Sequence, residues 1–457
     1  MPTPLEYAHN NRDTFLTELI DFLRIPSVST QAARDADTLE AAHWVARAMT
    51  SAGLEHVEVI ETKRHPIVYG DWLHAGSHAP TVLVYGHYDV QPAEPLDLWE
   101  TPPFEPTIRD NYIYARGAAD DKGQLYVHVK AVESYLRTDG RLPLNVKFII
   151  EGEEEIGSQN LHEFISHNQT RLAADSALIS DSSILGIGKP ALVYGLRGNC
   201  HVMVDVTGPG RDLHSGSYGG GINNPINALA HLIARLKDEQ GHILIPGFYD
   251  RVRPLSAEER ELLARFPLDE SDWLRETGAP TAWGEPEYTL VERLSARPTL
   301  DITGMYGGYI GQGTKTVLPA RAHAKISMRL VPDQDPNEII ELFRQFAHSV
   351  MPPSVKIDIH GAGGSRAALI ERDTPPMRAA AAAYEATFHH PAVFMREGGS
   401  IPVVNRFESD LGLPTVLMGF GLPGDRIHSP NERFYLPNFD AGIVTSIRYL
   451  GLLSQAE

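Results

Sequence analysis

The spacing of apolar and polar positions changes several times along the chain, and each change marks an element. Phe15, Leu16, Leu19, Ile20 and Leu23 recur at helical spacing, with Asn11 or Asp13 placed to cap the helix. "TVLVYGHYDV" (81–90) is a run of β-formers that ends in polar residues. Helical periodicity then returns in "DKGQLYVHVKAVESYLR" (121–137). Further strands are predicted in "LNVKFIIEGEEE" (144–155) and "DSALISDSS" (175–183). Strands that alternate with helices predict an α/β domain with a doubly wound, mainly parallel sheet.

From about residue 193 the pattern differs. "ALVYGLRGNCHVMVDVTGPGRDLHSG" opens with two alternating runs that predict an antiparallel pair. "NNPINALAHLIARLKDEQG" (223–241) predicts an amphipathic helix with an asparagine start and a glycine stop. "AHAKISMRLVPDQDPNEIIELFRQFAHSV" predicts a strand, a Pro-bearing turn and a helix, and 241–300 reads as an irregular insertion. After about 370 the first style resumes: a helix in "PPMRAAAAAYEATF", a buried strand in "PTVLMGFG" (414–421), and a closing helix from Asn438. The layout expected is one α/β domain, 1–192 and 371–457, interrupted by an inserted α+β domain at 193–370.

The 457 residues suffice for two or three domains, and 42% hydrophobic with 22% charged residues describes a chain with a core. Forty basic against 59 acidic residues give a net charge of −19, which repels phosphate backbones and anionic membranes. Nucleic acid and membrane are therefore not expected as partners. Cys200 is the single cysteine, so neither a disulfide within the chain nor a thiolate metal cage can form. Its alternating apolar context, "NCHVMVDV", reads as core, and the composition suits the cytoplasm. No apolar run approaches the roughly 20 residues of a membrane span.

In open α/β sheets, ligands bind beyond the carboxyl ends of the strands. Those places here hold His87 and Asp89, Asp120, the glutamates of "EGEEEIGS" (151–158), Asp181 and His428. Two histidines with several carboxylates and no cysteine suit Zn, Mn or Co. So many anions in one cleft need cations to neutralise them, and two ions about 3.5–4 Å apart, bridged by one carboxylate, satisfy the count.

These residues also carry a family resemblance. "GHYDVQP", "RGAADDKGQ", "EGEEEIGS", "SDSS", "REGGSIP" and "HSPNE" resemble, in order over nearly the whole chain, the motifs of the dinuclear metallopeptidases. That family includes carboxypeptidase G, aminoacylase, succinyl-diaminopimelate desuccinylase and the carnosinase-like cytosolic dipeptidases. "GHYDVQP", "YGLRG", "RDLHSG" and "REGGSIP" look most like the dipeptidase branch. The resemblance implies two divalent ions per subunit, Zn with Mn or Co as alternatives. Asp120 would bridge them, with His87 and Asp181 on one ion and Glu155 and His428 on the other. The bond from Asp120 to Asp121 would be cis. Asp89 would orient His87 through its other ring nitrogen. Glu154 would act as the general base for a metal-bridging water, and Glu153, with no family role, is expected to be exposed.

In the inserted domain, the resemblance implies that His214 stabilises the oxyanion in the partner subunit's site, hence a homodimer through that lid and dimerisation domain. Arg329 would clamp the substrate carboxylate, assisted by Thr316, Gly399 and Ser400, with His360 as a further candidate. "GGYIGQGTKT" lacks the Gly-Lys-Ser/Thr ending of a phosphate loop, and no G-x-S-x-G occurs. The expected function is metal-dependent hydrolysis of dipeptides or short peptides with a free C-terminal carboxylate. The alternatives are an N-acyl-amino-acid deacylase of the same family and a non-catalytic metal- or peptide-binding protein.

Overall fold

The run Thr81–His87 is apolar almost to its end because both of its faces are covered. In the computed structural model, which describes residues 2–456, it lies inside a nine-stranded sheet. The order across that sheet is Glu55–Ile60, Ile67–Trp72, Asn145–Glu151, Thr81–His87, Ser176–Ile179, Thr415–Leu417, Ala191–Leu196 and Ala368–Leu369; Val393–Glu397 also pairs with Ala191–Leu196. The four strands from Asn145–Glu151 to Thr415–Leu417 run parallel, and their flanking partners run antiparallel.

The helix Lys122–Thr138 is buried along most of its length, packed against the helices Pro4–Asn10, Asp35–Ala52 and Leu436–Leu453. Polar residues on it survive burial because each meets a partner. Lys122 Nζ donates to the carbonyls of Phe22 and Ile25 at 3.2 and 2.6 Å, which ties the end of the helix Arg12–Leu23 to this core.

The chain divides into two compact units. One takes the N-terminal stretch through Tyr194, Ile370–Met395 and everything from Arg406 on; the other takes Gly195–Leu369 and Arg396–Asn405. The segment 396–405, expected in the closing part of the first domain, thus groups with the second unit. That unit is built on an antiparallel sheet ordered Thr299–Gly307, Arg321–Leu330, Gly198–Thr207, Lys356–Ser365. Inward positions on Gly198–Thr207 alternate with outward ones, and the helices Pro225–Ile233 and Pro336–Val350 pack on the sheet.

Several expectations need correction. The runs 191–196 and 198–207 do not pair with each other; the first joins the nine-stranded sheet and the second the four-stranded one. Every residue of Ala191–Leu196 is buried, so that run lacks true alternation. Gly198 allows the change of sheet, since a Cβ there would lie 2.4 Å from the Ser365 carbonyl oxygen. The helix expected over 223–241 closes at Ile233, although Asn224 does cap its start through Ile226 N–H. Three short helices, Ala257–Leu263, Glu270–Thr277 and Leu290–Ser295, occupy the stretch read as irregular. The strand expected over 414–421 spans only Thr415–Leu417. A helix over Pro4–Asn10, with a reciprocal Thr3–Glu6 capping box, was not foreseen.

Candidate metal centre

Parallel neighbours in a sheet end on one edge, so the four parallel strands deliver their following loops to one place. His87 closes Thr81–His87, Glu151 closes Asn145–Glu151, and Asp181 follows Ser176–Ile179 by two residues. The loop after Thr415–Leu417 carries His428, and the turn before the helix Lys122–Thr138 carries Asp120. The peptide bond between Asp120 and Asp121 is cis.

These side chains meet in two triads, His87–Asp120–Asp181 and Asp120–Glu155–His428, each with its candidate ligand atoms within 4.8 Å of one another. Asp120 belongs to both. Its Oδ1 lies 3.1 Å from His87 Nε2 and its Oδ2 lies 2.8 Å from His428 Nε2. His87 Nε2 is 3.9 Å from Asp181 Oδ2, and His428 Nε2 is 3.3 Å from Glu155 Oε2.

Asp89 organises this arrangement from behind. His87 Nδ1 sits 3.0 Å from the Asp89 carbonyl oxygen and 3.4 Å from its Oδ1. With an ion bound, an Nδ1–H donated there would leave the Nε2 lone pair free to coordinate it. The Asp89 carboxylate also accepts the backbone N–H groups of Glu154 and Glu155, both at 3.2 Å. One fully buried side chain therefore fixes both His87 and the turn that holds the paired glutamates.

The consecutive glutamates have separate environments. Glu151 is buried and accepts from Tyr85 Oη and Ser158 Oγ at 2.7 and 2.8 Å; burial, then the Asp89 charge, push its carboxyl up to about 8. Gly152 lies against the Tyr88 ring, where a Cβ would approach within 2.4 Å. Glu153 is not exposed as expected but 3% accessible. It accepts from the His65 N–H at 3.0 Å and from Asn160 Nδ2 at 2.7 Å, because the turn Glu154–Ile156 rolls the chain over and turns position 153 inward. Glu154 is half-buried, with no hydrogen bond to its carboxylate among the described residues. Glu155 Oε2 accepts from Gln91 Nε2 at 2.7 Å, while its Oε1 is buried and unpartnered among the described residues.

Crowding shows in the titration of the cluster. Burial, reinforced by Asp120, pushes Asp181 up to about 7, and burial with the neighbouring carboxylates raises Glu154 well above the usual range. Burial would raise Asp120 as well, but hydrogen bonds from His428 and His87 hold it well below the usual range. The bonds to Asp120 and Glu155 lift His428 to about 10. His87 is raised too, its bonds to Asp120 and Asp89 overcoming burial. Each imidazole thus faces a carboxylate at short range, and a bound divalent cation would take over the balancing of that charge. Two imidazoles, three carboxylates, no thiolate and an orphaned Glu155 oxygen fit a pair of Zn, Mn or Co ions.

The remaining candidates lie in the second unit. Arg329 Nη1 donates to Ser400 Oγ at 3.0 Å, and Ser400 Oγ donates to the Arg197 carbonyl at 2.5 Å, with exposed Gly399 adjacent. Arg197 was seen only as part of a motif; burial, then Arg329, push it down to about 10. Its Nε and Nη1 donate to the Gly398 and Arg297 carbonyls. His214 is exposed, and its Nδ1 accepts the N–H groups of Gly216 and Ser217, which leaves the proton on Nε2. Thr316 is beside it, its carbonyl accepting from Ser215 N–H at 3.1 Å. His360 groups instead with Asp205, 3.4 Å from its Oδ2, and Asp205 also holds His323. Cys200 is core, as expected. Gln91 was missed as well, though it stands inside "GHYDVQP".

Residues 83–451 match the model of Peptidase family M20/M25/M40. A Cys-Gly metallodipeptidase from Schizosaccharomyces pombe is 33% identical over 462 residues, covering 97% of this chain and 96% of that protein. The Beta-Ala-His dipeptidase of Homo sapiens is 34% identical over 367 residues, 79% of this chain and 72% of that one. Among solved structures, human carnosine dipeptidase 1 superposes with a TM-score of 0.85 at 30% identity, covering 99% of this chain and 98% of that one. An M20 family metallo-carboxypeptidase from Sulfolobus solfataricus superposes at 0.86 with 32% identity, covering 96% and 99%. Among the described residues, no helix is long and apolar enough to cross a membrane.

Proposed function

The chain belongs to peptidase family M20/M25/M40, and from that premise we propose how its residues cleave a dipeptide. It is a metal-dependent hydrolase of dipeptides, in keeping with the metallodipeptidases it resembles over nearly its whole length. The observation that carries the reading is the shared carboxylate: each oxygen of Asp120 faces a different triad, and Glu154 stands on the turn that supplies Glu155 to one of them.

Asp120 would be shared by two ions, with His87 and Asp181 holding one and Glu155 and His428 the other. When bound, the ions supply Lewis acidity and make water a nucleophile at neutral pH. Glu154 takes the proton from the attacking water and returns it to the leaving amine. Its carboxylate has no competing hydrogen bond among the described residues, which supports that assignment. Asp89 keeps His87 in the Nε2-ligating tautomer and fixes the 154–155 backbone. Arg329, backed by Ser400 and Gly399, binds the substrate carboxylate as a bidentate fork.

His214, with its proton on Nε2, is suited to donate to an oxyanion in a second copy of the chain. A homodimer through the second unit is supported by its edge strand Lys356–Ser365 and by exposed Met203, Met305, Tyr306, Tyr309 and Ile310. A single buried cysteine favours a cytoplasmic setting.

The test is hydrolysis of a panel of free dipeptides, their N-acetylated analogues and a tripeptide by chelated protein, before and after Zn, Mn or Co is restored. Metal-restored cleavage of the free dipeptides alone is expected. Cleavage of only the acylated compounds would make the chain a deacylase, and no cleavage despite bound metal would make it a binding protein.

A further inference from the structure

Asp120 has to present both carboxylate oxygens at fixed positions, yet it sits in a turn, residues 115–121, that belongs to no helix or strand. The backbone of that turn is held by a side chain with no role so far. Glu432 is completely buried, and its two oxygens accept four hydrogen bonds. Oε1 accepts the N–H groups of Ala119 and of Asp120 itself, at 3.0 and 3.2 Å. Oε2 accepts Arg116 Nη1 at 2.6 Å and the Gly117 N–H at 3.1 Å. The turn folds around this carboxylate as a nest folds around an anion.

Two further observations locate the purpose. Glu432 lies four residues after His428, whose Nε2 faces Asp120 Oδ2 at 2.8 Å, so a single loop supplies both a candidate ligand and the anchor of the bridging residue. That loop is fastened on its other side as well. Asn431 accepts the Glu100 N–H at 2.7 Å and donates to the Leu98 carbonyl at 2.8 Å, and the Glu432 carbonyl accepts the Ala115 N–H at 3.1 Å. Arg116 is anchored too, its Nη2 donating to the Pro92 carbonyl at 3.1 Å.

We propose that Glu432, with Arg116, is a positioning residue that locks the 116–120 turn to the His428 loop, setting the place of the Asp120 carboxylate between the two triads. All four groups facing Glu432 are donors, and an ionised carboxylate alone among side chains offers acceptor sites to all of them. An amide accepts only through its oxygen, so Glu432→Gln turns an N–H₂ toward either the Arg116–Gly117 pair or the Ala119–Asp120 pair. The inference rests on the two-ion reading above, but not on which peptide is cleaved.

The experiment begins with the metal stoichiometry and affinity of the wild-type protein, measured by chelator competition with Zn and by the visible spectrum of the Co-loaded form. Glu432→Gln is then compared with Glu285→Gln. The latter breaks another buried pair, Glu285 with Arg297, in the second unit and controls for general destabilisation. Outer partners of metal ligands typically contribute about 10–100-fold in affinity. Glu432→Gln is expected to lose about that much and to alter the Co spectrum, with kcat lowered at saturating metal and KM little changed. Glu285→Gln should lower Tm without either metal effect. Glu432→Asp, which keeps the charge, should recover part of the affinity.

Wild-type affinity and spectrum in Glu432→Gln, at a Tm loss like that of Glu285→Gln, would reduce Glu432 to a structural residue and overturn the proposal. If Glu432→Gln does not fold, Glu432→Asp and Arg116→Lys are read by the same two measurements, and unchanged metal binding in both overturns it. A wild-type protein that binds two ions and cleaves no peptide would remove the dipeptidase reading and leave this one standing.

Discussion

His128 makes the coupling between pH and the fold measurable. It lies in the helix Lys122–Thr138, 1% exposed, with Ser446 Oγ 3.0 Å from Nδ1 and Ser180 Oγ 2.7 Å from Nε2. Ser180 donates its own proton to the Met418 carbonyl, so it accepts from Nε2–H, and Ser446 donates to Nδ1. The neutral ring is satisfied, and burial, with no compensating carboxylate, pushes its pKa down to about 3. Against about 6.5 in the unfolded chain, the unfolded state binds more protons between these values. Stability from this residue is therefore complete above about pH 6.5 and falls as pH drops toward 3. The slope approaches about 1.4 kcal/mol per pH unit, which amounts to about 2 kcal/mol at pH 5. The assay is urea unfolding of metal-free wild type and His128→Gln at pH 7.5, 6 and 5; contributions from every other group cancel in the difference. The variant starts less stable, and its disadvantage should shrink by about 2 kcal/mol between pH 7.5 and 5. A disadvantage that stays constant, or grows as pH falls, refutes the reasoning.

Glu154→Gln should lower kcat by about 10²–10⁴ with both metals retained, the range for loss of a general base. Glu153→Gln, which disturbs the contacts to His65 and Asn160, should cost about 1–3 kcal/mol of stability and leave turnover per folded molecule unchanged; the reverse pattern would move the base by one residue. His214→Ala should lower kcat without metal loss. Mixing its subunits with Glu154→Ala subunits should regenerate activity, and failure to do so would remove the cross-subunit role. Arg329→Lys keeps the charge but not the fork, so KM for a dipeptide should rise about 10–100-fold with kcat nearly constant; an unchanged KM would take the substrate carboxylate elsewhere.

Much of the candidate metal centre could be read from the sequence, because a parallel strand announces both its run and its end. His87, Asp181 and the glutamate turn follow apolar stretches directly, and the sheet gathers such ends on one edge. What could not be read was set by contacts far along the chain. Glu153 resembles a solvated charge among charges until Asn160 and the His65 backbone close over it. The runs 191–196 and 198–207 suggest an antiparallel pair because both read as alternating, and only their partners, Thr415–Leu417 for the first and Arg321–Leu330 with Lys356–Ser365 for the second, reveal two sheets. Glu432 stands in "HSPNE" with nothing beside it to mark a role, since its four donors lie more than 300 residues upstream.

The interrupted first unit also sets a schedule for synthesis. Thr415–Leu417 fills the slot between Ser176–Ile179 and Ala191–Leu196, so the central sheet stays open at its middle while the whole second unit is made. Asp181 and His428 are 428 − 181 = 247 residues apart. At roughly 5–20 residues per second, a ribosome needs on the order of 12–50 s to cover that distance. Throughout that interval the nascent chain offers His87, Asp120 and Asp181 with neither the second imidazole nor the strand that completes the sheet. Capture of an ion pair by the proposed ligands would therefore be a late event, and a chain stalled inside the second unit would expose a half-built sheet edge to chaperones instead of holding a metal pair.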